Sequence, residues 1–205
     1  MADIAFTHAS AASERTLSYE RLEFLGDSVL ELATAHELYR RYPEFSEGRL
    51  AKIRSHVVSR ASCAVVAREL DLGARLAQRN QGLQADELER LAKNRNVLAA
   101  LLEAALGALF LQSGFAAIED AVIEAFSDRI EYAATTHVDH KTELQEALAR
   151  SGRHVAYALV SAEGLPHERH FKCAAMVDGK QFGVGEGATK KAAEQEAARE
   201  ALAKL

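Results

Sequence analysis

The chain has 205 residues, 48% hydrophobic, 27% charged and 6% aromatic, with 25 basic against 30 acidic side chains and a formal charge of -5. A chain this apolar and this weakly charged can bury a core, which excludes disorder, and its length fits one large domain or a domain plus a smaller module. The acidic balance, with a sequence pI near 5.9, speaks by itself against a nucleic-acid binder, whose usual footprint is basic.

Met1-Ala2-Asp3-Ile4 carries no basic region followed by an apolar run, so no secretory signal is expected. Up to residue 138 nearly everything has helical periodicity. The spacing predicts a helix over 19–41, ended by Pro43, then helices over 47–58 and 60–72, the latter stopped by Gly73. A polar stretch over 78–96 leads into an apolar helix over 97–112, ended by Ser113-Gly114, and a further helix covers 115–132. The apolar run Val97 to Leu111, 15 residues interrupted by Glu103, is too short to span a bilayer and reads as a buried helix, so no membrane partner is expected. Residues 133–139 form a linker. Beyond it the pattern becomes a helix over 141–150, strands over 155–161, 170–177 and 180–184 with a hairpin turn at Asp178-Gly179, and a helix capped by Thr189. The fold class read from this order is an all-α domain, 1–134, followed by a small α+β module (α-β-β-β-α), 139–205. Cys63 and Cys173 form no CxxC pair and no metal-ligand spacing, which excludes a disulfide scaffold or zinc module and fits a reducing cytoplasm.

At 100° per residue, Glu20, Glu23 and Asp27 fall at about 0°, 300° and 340° on one helix face, and Leu22, Leu25, Val29 and Leu32 cluster near about 160°. Periodicity alone reads this as a solvated acidic face on an amphipathic helix. Two details speak against it: no lysine relieves the repulsion, and Phe24 stands beside the carboxylates with no core to enter. Glu103 is the only charged residue between Val97 and Gln112, which is costly unless it is paired or binds a metal. An arginine such as Arg54 or Arg95 is one partner; a metal is the other. If the two helices pack together, Glu20, Glu23, Asp27 and Glu103 make an oxygen-only cluster suited to Mg²⁺ or Mn²⁺ rather than zinc.

The run Glu20-Arg21-Leu22-Glu23-Phe24-Leu25-Gly26-Asp27-Ser28-Val29-Leu30 resembles the signature of the ribonuclease III family, supported by Phe6-Thr7-His8-Ala9-Ser10, Ser46-Glu47-Gly48-Arg49-Leu50 and the helix from Leu98 to Gly107. The resemblance implies a helical endonuclease domain followed by a double-stranded-RNA-binding domain. It also implies a homodimer with a catalytic centre in each subunit and Mg²⁺-dependent cleavage of duplex RNA. In such enzymes Glu23, Asp27 and Glu103 match metal ligands, Glu20 and Glu47 match acidic positions lining the active-site valley, and Phe24 matches the aromatic that inserts into the partner subunit. The family pattern places an aspartate where this chain has Ala100, which removes one expected ligand; Asn96, one turn earlier, is an alternative source of oxygen. The helix that usually precedes the Phe6–Ser10 segment is expected to be absent or very short.

Gly185-Glu186-Gly187-Ala188-Thr189-Lys190-Lys191 opens the last helix. Lysines at a helix N-terminus oppose the macrodipole, an arrangement that makes sense if a phosphate docks there rather than if they serve only solubility. This module resembles the double-stranded-RNA-binding domain. The resemblance places Gln145 and Glu146 at 2′-hydroxyls, aligns Gly164-Leu165-Pro166-His167 with the family's first strand loop, sets Lys190 and Lys191 against major-groove phosphates, and makes His167 and Thr189 RNA-binding residues too. His8 reads as a structural helix-end residue, and His36, His56, His154 and His170 show no catalytic partner by spacing. No nucleotide loop is present, and no nucleotide cofactor is expected.

The expectation is therefore a cytoplasmic, Mg²⁺-dependent endoribonuclease cutting double-stranded RNA in the processing of ribosomal and other precursor RNAs. Its alternative, prompted by Ala100, is a catalytically impaired RNA-binding protein on the same dimer scaffold; a purely structural interaction protein is a third reading. Residues 139–205 carry ten basic and ten acidic side chains, which leaves 15 of the 25 and 20 of the 30 in residues 1–138. The whole negative excess thus lies in the first domain, where carboxylates would gather around cations, and so does not exclude an RNA partner. RNA binding then rests on a few placed lysines and on shape, and is expected to be salt-sensitive.

Overall fold

In a computed structural model, which describes residues 1–136, 139–165 and 168–205, the chain divides into two units, Met1–His137 and Val138–Leu205. The described residues of the first unit form helices: α1 (Ala2–Ala5), a 3-10 turn (Arg15–Leu17), α2 (Glu20–Arg41), α3 (Glu47–Val57), α4 (Arg60–Glu69), α5 (Leu72–Arg79), α6 (Ala85–Lys93), α7 (Arg95–Ser113) and α8 (Phe115–Thr136). Short polar side chains start several of them. Ser46 accepts from the Arg49 N–H, Ser59 from that of Ser62, and Asn94 from those of Asn96 and Val97. Their inward faces meet in one core whose largest fully buried side chains include Leu30, Leu38, Ile53, Leu98, Leu101, Phe126 and Ile130.

Four local expectations change. Gly73 does not end a helix; it is buried inside α5, where a Cβ would stand 2.7 Å from the Ala92 carbonyl oxygen, and the break falls at Asp71 in the left-handed conformation (φ 52°). The polar stretch contains α6, held by the buried Leu91. α7 is 19 residues, long and apolar enough by length and composition to cross a membrane; what marks it as a core helix is that most of it is buried inside the unit. α8 continues to Thr136, into the expected linker.

The rotation of α2 also differs. Its buried stripe is Leu22, Gly26, Val29, Leu30, Ala33, Thr34, Glu37 and Leu38, centred near about 250° on the helical wheel rather than 160°. Leu32 is 55% exposed. The cause is the crossing with α7, where a Cβ on Gly26 would overlap the Glu103 carbonyl oxygen and stand 2.8 Å from the Gly107 nitrogen, while one on Gly107 would overlap the Leu22 carbonyl. Only bare backbone fits there, so this pair of glycines fixes which side of α2 faces inward. Glu23 therefore borders the buried stripe instead of opposing it.

The second unit packs α9 (His140–Ala149) and α10 (Lys190–Leu202) against an antiparallel sheet, order β1-β2-β3, of β1 (Val155–Glu163), β2 (His170–Val177) and β3 (Lys180–Gly187). Asp178 and Gly179, with φ of 49° and 79°, close the β2–β3 hairpin at the Val177–Lys180 pair, as the Asp-Gly signal predicts. β1 and β3 run two and three residues further than predicted. Ala193, Ala197, Ala198 and Ala201 bring α10 onto β3, where Gly183 and Gly185 leave no room for a Cβ beneath the helix backbone. Leu144, Leu148, Ala175 and Val177 complete this separate core.

Candidate active site and RNA-binding face

The α2–α7 crossing brings the two acidic helices together. Glu20, Glu23, Asp27 and Glu103 line one open cleft of about 600 Å³ with Arg15, Phe24, Val58 and Arg60. Glu103 is 4% exposed. Burial, followed by the charges of Asp27 and Glu23, pushes its carboxyl up to about 7, and Arg60 opposes that shift. Burial raises the Glu23 carboxyl as well, against the pull of Arg60, whose Nη2 lies 3.4 Å from Glu23 Oε1. Glu20 is already satisfied: Arg15 donates to both its oxygens at 2.6 and 3.0 Å and holds it below the usual carboxylate range. Cys63 lies buried nearby, its thiol pushed up to about 12 by burial and by Glu103 and Asp27.

The arginine whose charge reaches Glu103 is Arg60, not Arg54 or Arg95. Sequence reasoning missed Arg60. A usable signal was present, because it is the first residue of α4, directly after the Ser59 cap, where the macrodipole disfavours a cation. Glu47 is not brought to the cleft of its own chain. It opens α3 and lines a different groove with Tyr39, Phe45, Leu50 and Arg54. Ala100 is buried on α7 one turn before Glu103 and offers no donor, and Asn96 is exposed with its N–H bonded to the Asn94 cap. Phe24 is 79% exposed, beside both the acidic cleft and a larger one of about 720 Å³ that includes Leu22, Leu25 and Leu111.

Among the described residues no three His, Cys, Asp or Glu side chains converge closely enough to hold an ion directly. The donor set nevertheless fits one class of ion. Hard carboxylate oxygens in a wet, repulsive cleft suit Mg²⁺, which keeps several of its waters and needs one or two protein carboxylates. They offer nothing to a soft metal.

His8 lies beyond the end of α1, where its backbone N–H donates to Asn80 Oδ1 at 2.9 Å and its Nδ1 pairs with Ser10 Oγ at 2.8 Å. His36, which spacing left without a partner, is bonded to Glu119 of α8.

In the second unit, Thr189 accepts the Ala192 N–H at 3.1 Å and so caps α10. Lys190 and Lys191 are both exposed at its first turn, and Lys190 Nζ lies 4.0 Å from Glu194, whose other oxygen is taken by Lys141. On α9, Gln145 is exposed and Glu146 half-buried. His167 lies outside the described residues.

Comparisons with known proteins match both units of the chain. A family model described as ribonuclease-III-like matches residues 1–130, and one for the double-stranded RNA binding motif matches residues 140–205. A protein named Ribonuclease 3 from Corynebacterium glutamicum is 40% identical over 98% of this chain and 82% of its own. Another of that name, from Bacillus licheniformis, is 41% identical over the same shares. The solved nuclease domain of ribonuclease III from Campylobacter jejuni aligns at 31% identity with a TM-score of 0.55, covering 62% of this chain and 85% of that one. By sequence over nearly its whole length, the chain belongs to the ribonuclease III family.

Proposed function

We propose that this protein is a divalent-metal-dependent endoribonuclease that cuts double-stranded RNA as a homodimer, in cytoplasmic processing of ribosomal and other precursor RNAs. Residues 1–134 are assigned the cleavage and residues 139–205 the grip on the duplex. The observation that carries the reading is that Glu20, Glu23, Asp27 and Glu103 line one cleft with Glu103 buried in it, its carboxyl raised by burial and then by the charges of Asp27 and Glu23, a cost that a bound cation relieves. Glu23, Asp27 and Glu103 would hold a hydrated Mg²⁺, in part through its waters, with Mn²⁺ a substitute. When bound, the ion supplies an activated water and neutralises charge on the scissile phosphate. No side chain is required as nucleophile.

The chain's own residues do the rest. Glu103 is fixed by the glycine crossing and keeps its carboxylate at the floor of the cleft. Glu20, clamped by Arg15, forms its rim. Glu47 lines a separate groove and is assigned no step in the cleft of its own chain. Phe24, exposed beside an apolar cleft, is the candidate dimer contact. In the second unit, Gln145 and Glu146 are assigned to the minor groove, Lys190 and Lys191 to phosphates, and His167 and Thr189 to the RNA-binding face.

The alternative, an impaired RNA-binding protein, has no support among the relatives, which carry the name Ribonuclease 3. The deciding assay incubates a long RNA duplex with the protein and with Ala100→Asp in Mg²⁺ or Mn²⁺. Both are expected to cut, Ala100→Asp faster. A wild-type protein that leaves the duplex intact while Ala100→Asp cuts it overturns the proposal in favour of the alternative.

A further inference from the structure

Arg60 has no part in the chemistry proposed for the cleft, and its position is unusual in three ways. It lines the same cleft as Glu23, Asp27 and Glu103. Its Nη2 sits 3.4 Å from Glu23, yet 57% of its side chain is open to solvent, so it is held at the mouth and not sealed inside. It also stands at the first position of α4, where the helix dipole repels it. The other arginine of the cleft, Arg15, is committed to Glu20 by two hydrogen bonds. Among the described residues Arg60 makes one long contact, and its charge is felt at Glu23, Glu103, Tyr19 and Cys63.

Accepting that the cleft binds a cation, we propose that Arg60 is its exchangeable counter-ion: it pairs with Glu23 in the metal-free protein, is displaced when a divalent ion takes Glu23, and then turns its guanidinium to an RNA phosphate at the cleft mouth. Electrostatics requires the first half. A monovalent side-chain cation and a divalent ion compete for the same carboxylate, so each weakens the other. Geometry supports the second, because a guanidinium freed from a carboxylate presents the same planar fork to a phosphate. Arg60 is on this view a positioning and binding residue, and the chemistry of cleavage does not pass through it.

The test has two independent readings. Calorimetric titration of the metal-free protein with Mn²⁺, in the absence of RNA, is expected to show about fivefold tighter binding in Arg60→Gln than in wild type. Arg60→Lys, which keeps the charge, should bind Mn²⁺ as wild type does. Equal or weaker Mn²⁺ binding by Arg60→Gln, or no Mn²⁺ binding by either protein, overturns the counter-ion role. Steady-state cleavage of a short duplex at saturating Mg²⁺ is expected to show KM raised about tenfold in Arg60→Gln with kcat changed less than threefold. An unchanged KM overturns the transfer to phosphate. A purely structural ion pair would lower the melting temperature and leave both readings where they were. A wild type that binds Mn²⁺ but cuts no RNA would sink the nuclease reading while the titration still decides on Arg60.

Discussion

Gly26 and the carbonyl oxygen of Glu103 are in backbone contact: a Cβ on the glycine would occupy the place of the oxygen. The fold and the candidate site meet at this point. Gly26 lies between Glu23 and Asp27 on α2, so the approach that seats the two helices also sets the spacing of their carboxylates. Gly26→Ala leaves α2 free to form, since alanine favours helix, but it must push α7 away. Overpacking of this kind costs more than about 2 kcal/mol, a loss that urea unfolding will register. Cleavage should fall further than the remaining folded fraction explains, because the displaced Glu103 no longer faces Asp27 and Glu23.

Glu103 itself predicts a pH dependence. An acid whose folded pKa lies above its ordinary value weakens the fold once ionised. Here the carboxyl moves from 4.5 to about 7, so the metal-free protein loses stability as the pH rises through that window. The difference corresponds to roughly 3 kcal/mol between pH 4 and pH 8. Glu103→Gln keeps the shape and removes the charge. In EDTA the variant should be the more stable protein at pH 8 and no more stable than wild type near pH 4. Chemical denaturation at the two pH values, compared between the proteins, isolates this group from the others that titrate.

Phe24 separates stability from association. Its ring contributes little to the core of its own chain, being 79% exposed, so Phe24→Ala should change the monomer's unfolding free energy by less than about 0.5 kcal/mol. An aromatic anchor entering a partner's pocket carries about 2 kcal/mol or more, so the proposed dimer should dissociate at least about thirtyfold more readily. Sedimentation equilibrium reads this directly. An unchanged dimer constant removes Phe24 from the interface.

The order of elements is legible in the sequence because its signals are local. Ser46, Ser59 and Thr189 cap the helices they precede, and Asp178-Gly179 turns the hairpin between β2 and β3. Sequence and structure part where a local pattern has two meanings. A glycine at a helix end and one inside a helix under a neighbour's backbone look alike in sequence, which is why Gly73 reads as a stop. The same ambiguity hides the rotation of α2: its leucines point to one side, but the Gly26 approach turns another side inward and exposes Leu32. Helix α6 reads as a polar stretch because Leu91 is its one buried residue, although Leu88, Leu91 and Ala92 stand at helical spacing. At the site, the four clustered carboxylates are readable from motif and spacing. Arg60 is marked out only by its unfavourable place after the Ser59 cap, and its neighbourhood depends on where α4 comes to lie against α2 and α7.

Lys190 and Lys191 offer a test of the second unit that leaves its fold alone. The Thr189 cap and the alanine face of α10 hold the helix without them, and both lysines are exposed. Lys190 Nζ stands 4.0 Å from Glu194, whose other oxygen Lys141 already takes, so a phosphate would compete for it against a long and shared ion pair. Lys190→Ala/Lys191→Ala should keep its melting temperature within a few degrees while duplex affinity falls about tenfold or more at moderate salt. The sharper reading is the salt dependence. For every phosphate that no longer meets an ammonium group, the slope of log affinity against log salt should fall by about one. A double variant with an unchanged slope would show that these two side chains do not touch the RNA backbone.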